Sequence, residues 1–140
     1  LEMHSNRVQA APIEPRAALG SYDAETDSYV LYNSSQNIHA NRDQVAKILG
    51  VDPQKIRHVA YDVGGGFGAK NGIYPEHVLV LFASEKLGRP VKWRKDRTDT
   101  FIADIHGRDQ RSVVELAINN DGVFKALKGS SWGNCAGKTP

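Results

Sequence analysis

The chain has 140 residues, of which 24% are charged, and its formal net charge at pH 7 is +2. This near balance gives no reason to expect a nucleic-acid or anionic-membrane partner, and no apolar run reaches the roughly 18 residues of a membrane span or resembles a signal peptide. Cys135 is the single cysteine, which excludes an internal disulfide framework and a multi-cysteine metal site within these residues.

The first half of the chain predicts strands alternating with a helix. Residues 28–32 are aromatic and β-branched, which favours a strand. Apolar residues at three- and four-residue spacing predict an amphipathic helix over Ile38–Leu49, with Gly50 as its left-handed cap. Pro53 suits the first position of a short helical turn. The alternation over residues 58–63 predicts a strand that leads directly into a glycine-rich loop.

The second half predicts a buried helix and a hairpin. Apolar side chains occupy nearly every face of residues 75–87, so we expect a largely buried core helix that begins at Pro75 and ends before Gly88. Alternation over residues 114–118 and a returning segment over 123–132 flank the turn sequence NNDG, which predicts a hairpin. Together these elements predict an α+β fold: a mixed sheet with two main helices and a C-terminal β-hairpin.

The glycine-rich loop at residues 62–70, DVGGGFGAK, is the strongest candidate for a binding site. Glycine is favoured where the backbone takes a positive φ or where another group approaches it closely. The density of glycine therefore suggests a ligand pressed against main-chain N–H groups, with Phe67 as a wall of the site. A loop that is rich in glycine only because it packs tightly is the alternative interpretation.

Two common glycine motifs fit this loop poorly. A phosphate-binding Walker A loop needs a Ser or Thr hydroxyl for magnesium after its lysine, whereas Asn71 follows Lys70. The spacing of the loop residues matches the dinucleotide-binding fingerprint. However, the acidic residue at the corresponding distance, Glu85, lies in a predicted helix and not at the end of a second strand.

Five segments, in order along the chain, resemble the molybdenum hydroxylases, the large chains of xanthine dehydrogenases, aldehyde oxidases and carbon monoxide dehydrogenases. IEPR at 13–16 is similar to the family's (M/I)EPR, and SSQNIH at 34–39 to SSQxxH. The glycine loop is similar to DVGGGFGxK, GRPVKW at 88–93 to a strand of the same sequence, and DIHGRD at 104–109 to DxHGRD. The last segment is most similar to the carbon monoxide dehydrogenase-like branch. The resemblance implies a partial molybdopterin-binding domain.

The resemblance also implies the cofactor contacts. Gln36 corresponds to the glutamine whose side-chain amide donates a hydrogen bond to an oxo ligand of molybdenum. Gly66, Phe67 and Gly68 correspond to the segment where backbone N–H groups and an aromatic ring meet the molybdopterin. In the family no side chain coordinates the metal, in agreement with the lack of metal-binding spacing among the five histidines. We expect surface or structural roles for the histidines.

The remaining motif residues are expected to have no catalytic role. We interpret Glu14 and Arg16 as a structural ion pair or a strand anchor, and Lys70 as an anchor of the loop. Asn71 stands where xanthine-oxidising relatives have a glutamate that helps to hold the purine, which disfavours purine oxidation. Cys135 does not lie in the sequence context of the copper-binding cysteine of carbon monoxide dehydrogenases, and we interpret it as an incidental thiol.

The resemblance implies part of the catalytic subunit of a molybdopterin-dependent enzyme that oxidises an aldehyde, an N-heterocycle or carbon monoxide with water as the oxygen source. Iron–sulfur and FAD domains or subunits would take the electrons, and the location would be cytoplasmic. Family chains are several times longer, so residues 1–140 are expected to be one fragment of a catalytic domain, inactive alone, with the catalytic glutamate base downstream of it. A non-catalytic scaffold or a degenerate paralogue is the alternative.

Overall fold

Residues 1–134 are described by the computed structural model, and Cys135 lies outside this range. They divide into two compact units. The central unit is Ala10–Asp104, and the terminal unit combines Leu1–Gln9 with the described residues from Ile105 onward. The strands are β1 (Glu2–Gln9), β2 (Ala17–Asp23), β3 (Ser28–Asn33), β4 (Ile56–Val59), β5 (Val91–Arg94), β6 (His106–Ile118) and β7 (Phe124–Gly133). The helices are α1 (Ile38–Leu49), α2 (Pro75–Leu87) and α3 (Arg97–Ala103), with a 3-10 turn at Pro53–Lys55.

The central unit is a mixed four-stranded sheet in the order β4-β3-β2-β5, packed against helices. Only β3 and β4 are parallel, and α1 connects them. The core lies where α1 and α2 meet β2 and β3, and its fully buried side chains include Leu31, Val45 and Leu81. The predicted α+β class, mixed sheet, two main helices and C-terminal hairpin are confirmed. No helix among the described residues is long and apolar enough to cross a membrane.

Capping explains why the two main helices have their predicted ends. The Asn37 side chain accepts a hydrogen bond from the N–H of Ala40 at the start of α1, and Gly50 closes that helix in the left-handed conformation. Pro75 occupies the first position of α2, and Gly88 ends it in the same left-handed way. The third helix, α3, was not predicted.

Two expectations about these elements are wrong. The predicted strand over 58–63 ends at Val59, because β3 offers parallel partners only up to Tyr32. Beyond that point Tyr61 leaves the sheet and stacks on Tyr32 with ring centroids 6.2 Å apart. Helix α2 is not buried on every face: Leu79 and Phe82 are 59% and 49% exposed, because only one side of the helix packs on the sheet.

The terminal unit is a three-stranded antiparallel sheet in the order β1-β6-β7. One face carries charged pairs such as Glu2 with Arg111, whose nitrogen and oxygen atoms lie 2.6 Å apart. Strand alternation places Leu116 and its cross-strand partner Leu127 on the opposite face, where they are 48% and 72% exposed. The described residues of the terminal unit leave this apolar face uncovered.

We expect the 140-residue chain, purified alone, to self-associate through this apolar face, because small three-stranded sheets need their apolar side covered. Leu116→Ser combined with Leu127→Ser should shift its sedimentation toward the monomer. The matched control replaces Glu115 and Lys128, a cross-strand pair on the charged face, by serine. A compact monomer for the unchanged chain at all concentrations would refute the expectation.

Candidate functional site

The Glu14 side chain forms hydrogen bonds with both ends of the glycine loop. Its Oε2 accepts hydrogen bonds from the N–H of Gly64 at 2.8 Å and from Lys70 Nζ at 2.7 Å, so one carboxylate oxygen joins the two ends of the segment 64–70. Its Oε1 accepts from the Ser34 hydroxyl at 2.5 Å. Burial raises the pKa of Glu14, but the donors Lys70, Ser34 and Gly64 together outweigh burial and hold that pKa below its ordinary value. The group is therefore a carboxylate at neutral pH.

Gln36 holds the second half of the loop. Its side-chain Oε1 accepts hydrogen bonds from the backbone N–H groups of Gly68 at 3.0 Å and Lys70 at 3.2 Å. The backbone N–H of Gln36 donates to the Lys70 carbonyl at 3.0 Å. Both side-chain partners are donors, so the amide oxygen must face them and the amide NH2 must face away. Within residues 1–134, Nε2 of this exposed side chain donates to no acceptor.

Close approach and backbone conformation explain two of the loop glycines. A Cβ at position 66 would lie 2.5 Å from Oε1 of Gln36 and would displace the amide. At Gly68 a Cβ would meet nothing within 4 Å, but φ is +86°, a left-handed conformation that L side chains rarely adopt. The loop therefore packs tightly against Gln36 at Gly66 and borders open space at Gly68.

The tip of the loop presents an aromatic ring and free backbone donors. Phe67 has a φ of 49° and is 75% exposed. A non-glycine residue in this left-handed region costs roughly 1–2 kcal/mol, which the surrounding hydrogen bonds must offset. In the described part of the chain, the N–H groups of Gly65, Gly66 and Phe67 donate to no acceptor. Successive unpaired N–H groups in a turn of this kind suit an electron-rich ligand.

Arg16 organises a buried polar cluster that reaches the loop. Its guanidinium pairs with Glu76 and with Asp104, the latter at 2.9 Å, and stacks over the Tyr74 ring at 3.2 Å from the ring centroid. The Tyr74 hydroxyl donates to the carbonyl of Ala69 in the loop at 2.7 Å. The cluster is thus linked to the loop through one tyrosine.

Two histidines have the structural role expected of them. The Asn33 amide lies between the Nε2 atoms of His58 and His77, at 3.0 Å from the latter. Burial, helped by the positive charge of Arg16, lowers the pKa of His77 to about 4, and burial also lowers the pKa of His58. Both rings are neutral at pH 7. The described residues contain no group of three or more side chains placed to bind a metal ion.

We expect the central unit to lose stability as the pH falls from about 6.5 to about 4, because His77 takes up a proton below pH 6.5 when unfolded but only near pH 4 when folded. Its contribution is complete above pH 6.5, and the loss approaches about 3 kcal/mol at the acid end. Urea unfolding of the wild type and of His77→Gln at several pH values measures this loss of stability. Equal pH slopes for the two proteins would exclude this role.

The structure brings the four predicted cofactor residues together. Gln36 contacts Gly68 and lies against Gly66, with Phe67 between these two glycines. The N–H of Gly68 donates to Gln36, so in residues 1–134 the loop N–H groups without an acceptor are those of residues 65–67. Sequence reasoning missed that Glu14 belongs to the same assembly. The charge complementarity of Glu14 and Lys70 was the available hint, but 56 residues separate them.

The expected ion pair between Glu14 and Arg16 is wrong, because each residue has other partners. Glu14 pairs with Lys70, and Arg16 pairs with Glu76 and Asp104, so the two residues of the IEPR segment do not pair with each other. Lys70 is 2% exposed and anchors the loop, as expected.

Comparison with known proteins identifies relatives along nearly the whole chain. The family model described as the molybdopterin cofactor-binding domain matches residues 1–139. The carbon monoxide dehydrogenase large chain of Hydrogenophaga pseudoflava is 38% identical over 126 residues, covering 90% of this chain and 16% of that protein. The nicotine 6-hydroxylase large subunit of Paenarthrobacter nicotinovorans is 36% identical over 125 residues, covering 89% and 15%.

A solved structure shows the same architecture. Quinoline 2-oxidoreductase from Pseudomonas putida 86 superposes with a TM-score of 0.87 at 37% identity, covering 94% of this chain and 17% of that chain. The present chain spans about one sixth of the length of the curated relatives it matches.

Proposed function

Because the chain belongs to the molybdopterin cofactor-binding domain family of the molybdenum hydroxylases, we propose that it forms one wall of the molybdenum cofactor site in a hydroxylase catalytic subunit. The orientation of Gln36 carries this proposal. Two loop N–H groups hold its oxygen, so its NH2 is presented away from the loop. A neutral amide donor does not titrate when the charge of a neighbouring group changes, which suits a redox cofactor.

The residues present fit the cofactor. Gln36 Nε2 and the N–H groups of residues 65–67 are donors without acceptors in the described chain, and Gly68 borders open space. We assign Gln36, Gly66, Phe67 and Gly68 to the cofactor, with the exposed ring of Phe67 as a wall. Bound there, the molybdenum cofactor supplies two-electron oxidation chemistry with water as the oxygen source.

The role of these residues is to bind and to orient. Preorganised N–H donors stabilise negative charge at a site without the reorganisation that water would need. Glu14 is not assigned as a base, because its carboxylate already accepts from Gly64, Lys70 and Ser34. The proton-accepting glutamate of the reaction is proposed to lie in the remainder of the catalytic chain.

Substrate and partners are properties of the whole protein. We propose oxidation of an aldehyde, an N-heterocycle or carbon monoxide, since the relatives include a carbon monoxide dehydrogenase and a nicotine hydroxylase. Asn71 disfavours a purine. Iron–sulfur and FAD subunits or domains are the proposed electron acceptors, and the cytoplasm is the proposed location. Residues 1–140 would then be one fragment of the catalytic domain, inactive in isolation.

The test is to purify the parent protein and measure molybdenum, released pterin and oxidation of the three substrate classes with an artificial electron acceptor. We expect about one molybdenum per catalytic chain and activity toward one class. A correctly assembled parent complex with neither metal nor activity would favour the scaffold alternative.

A further inference from the structure

Within the loop, Lys70 is the residue that forms hydrogen bonds with both Glu14 and Gln36. The ammonium of Lys70 donates to Glu14 at 2.7 Å, while its backbone N–H donates to Gln36 Oε1 at 3.2 Å and its carbonyl accepts from the Gln36 N–H at 3.0 Å. A displacement of Lys70 would therefore disturb both the side-chain amide and the backbone N–H of Gln36. The same Glu14 oxygen also holds Gly64, which fixes the start of the loop relative to its end.

Because the Lys70 side chain is buried, its position depends on the ion pair with Glu14. The lysine side chain is 1% exposed, and within residues 1–134 its ammonium has Glu14 as its one ion-pair partner. A buried ammonium without a partner is strongly disfavoured, so loss of the carboxylate would drive the lysine toward water and draw the loop with it. Glu14 itself is more accessible, with 36% of its side chain exposed, so its own removal leaves little unfilled space.

We propose that Glu14 is a positioning residue, which sets the shape of the glycine loop through Lys70 and thereby aims the NH2 of Gln36 at the ligand. This inference rests on the proposed function of the loop for its consequence in catalysis, but the shape of the loop can be measured without any cofactor. Among the described residues, the Glu14 carboxylate accepts from Ser34, Gly64 and Lys70 and not from the N–H groups of residues 65–67, so its effect on the loop tip is indirect.

Two substitutions in the parent enzyme separate geometry from charge. Glu14→Gln keeps the size of the side chain and removes the charge that holds Lys70. Glu14→Asp keeps the charge but is shorter by one methylene, so it cannot span Gly64 and Lys70 as the longer carboxylate does. Glu85→Gln is the matched control, since the Glu85 carboxylate lies in the same unit, is 32% exposed and accepts from the Tyr29 hydroxyl at 2.8 Å, and among the described residues it has no hydrogen bond to the loop.

Hydrogen exchange and kinetics are the readouts. We expect both Glu14 variants to speed exchange of the Gly68 and Lys70 amides by about tenfold or more relative to the sheet amides. Turnover should fall by about a hundredfold, with KM little changed, because small misplacements near the reacting centre have effects of that size. Glu85→Gln should leave the exchange of these two amides, relative to the sheet, at the wild-type value.

Unchanged exchange at Gly68 and Lys70 in Glu14→Gln would overturn the proposal. So would a uniform rise in exchange throughout the central unit that Glu85→Gln reproduces, since that result indicates a change in general stability only. Full activity of Glu14→Asp would also contradict it, because charge alone would then suffice. A wild-type parent without molybdenum would instead refute the proposed function, and the exchange comparison would still decide whether Glu14 shapes the loop.

Discussion

Gly68→Val is expected to remove molybdenum from the parent enzyme almost completely, to about a tenth of the wild-type content or less. The residue has a φ of +86°, where a β-branched side chain is strained, and its missing side chain borders open space that we assign to the cofactor. Valine would both distort the loop and project into that space. Metal analysis of the purified protein, together with pterin release, measures the effect.

The control for this prediction is Gly72→Val. A Cβ at Gly72 also meets nothing within 4 Å, yet Gly72 does not have a left-handed φ. The Gly72→Val variant therefore tests whether a valine near the loop is by itself enough to reduce the molybdenum content. Normal molybdenum content in a folded Gly68→Val enzyme would mean that this side of the loop does not face the cofactor.

Gln36→Ala is expected to lower turnover by about a hundredfold or more while molybdenum stays bound, because loss of one preorganised donor at a reacting centre has an effect of this size. Retention of the metal is expected because the proposed contacts of the loop backbone and of Phe67 with the cofactor remain in this variant. Alanine also leaves the N–H groups of Gly68 and Lys70 without their acceptor, which weakens the loop.

Gln36→Glu separates the two contributions of the amide. The carboxylate can still accept from Gly68 and Lys70, so the loop keeps its hydrogen bonds, but nothing is left to donate outward. We expect turnover as low as in Gln36→Ala. Wild-type turnover in Gln36→Glu would show that the outward donor is dispensable and would leave only the loop contact as the role of this residue.

The helices could be predicted from the sequence because their ends are determined locally. Pro75 and Gly88 delimit α2, and Asn37 and Gly50 delimit α1, by capping that involves neighbours within a few residues. Helix α3 has the same kind of start, since the Asp96 side chain accepts from the Asp99 N–H, but its seven residues are too few for a clear apolar period.

The strands were harder because they depend on partners far away in the chain. Strand β2, with the sequence AALGSYD, has no β-branched residue and is a strand because β3 and β5 flank it. Strand β1 is polar along most of its length and pairs with β6 more than 90 residues later. The alternation up to Val63 was misleading for the same reason, because no strand among the described residues pairs with this segment beyond Val59.

The proposed cofactor residues could be named from sequence motifs, but their arrangement could not be predicted from the sequence. The motifs contain Gln36 and the loop as separate segments, and their hydrogen bonds span 32 to 34 residues. Only the folded structure shows that Gly68 donates to Gln36 and that, among the described residues, nothing accepts from the N–H groups of residues 65–67. The link from Glu14 to Gln36 through Lys70 likewise required the structure.

The most direct measurement is a crystal structure of the parent enzyme with its cofactor bound. We expect Gln36 Oε1 to keep its hydrogen bonds from the Gly68 and Lys70 N–H groups, with Nε2 within about 3.2 Å of an acceptor on the cofactor. Phe67 should line the same site. A loop that lies away from the cofactor, or a Gln36 whose oxygen has left the loop, would contradict the assignment of this chain as a wall of the site.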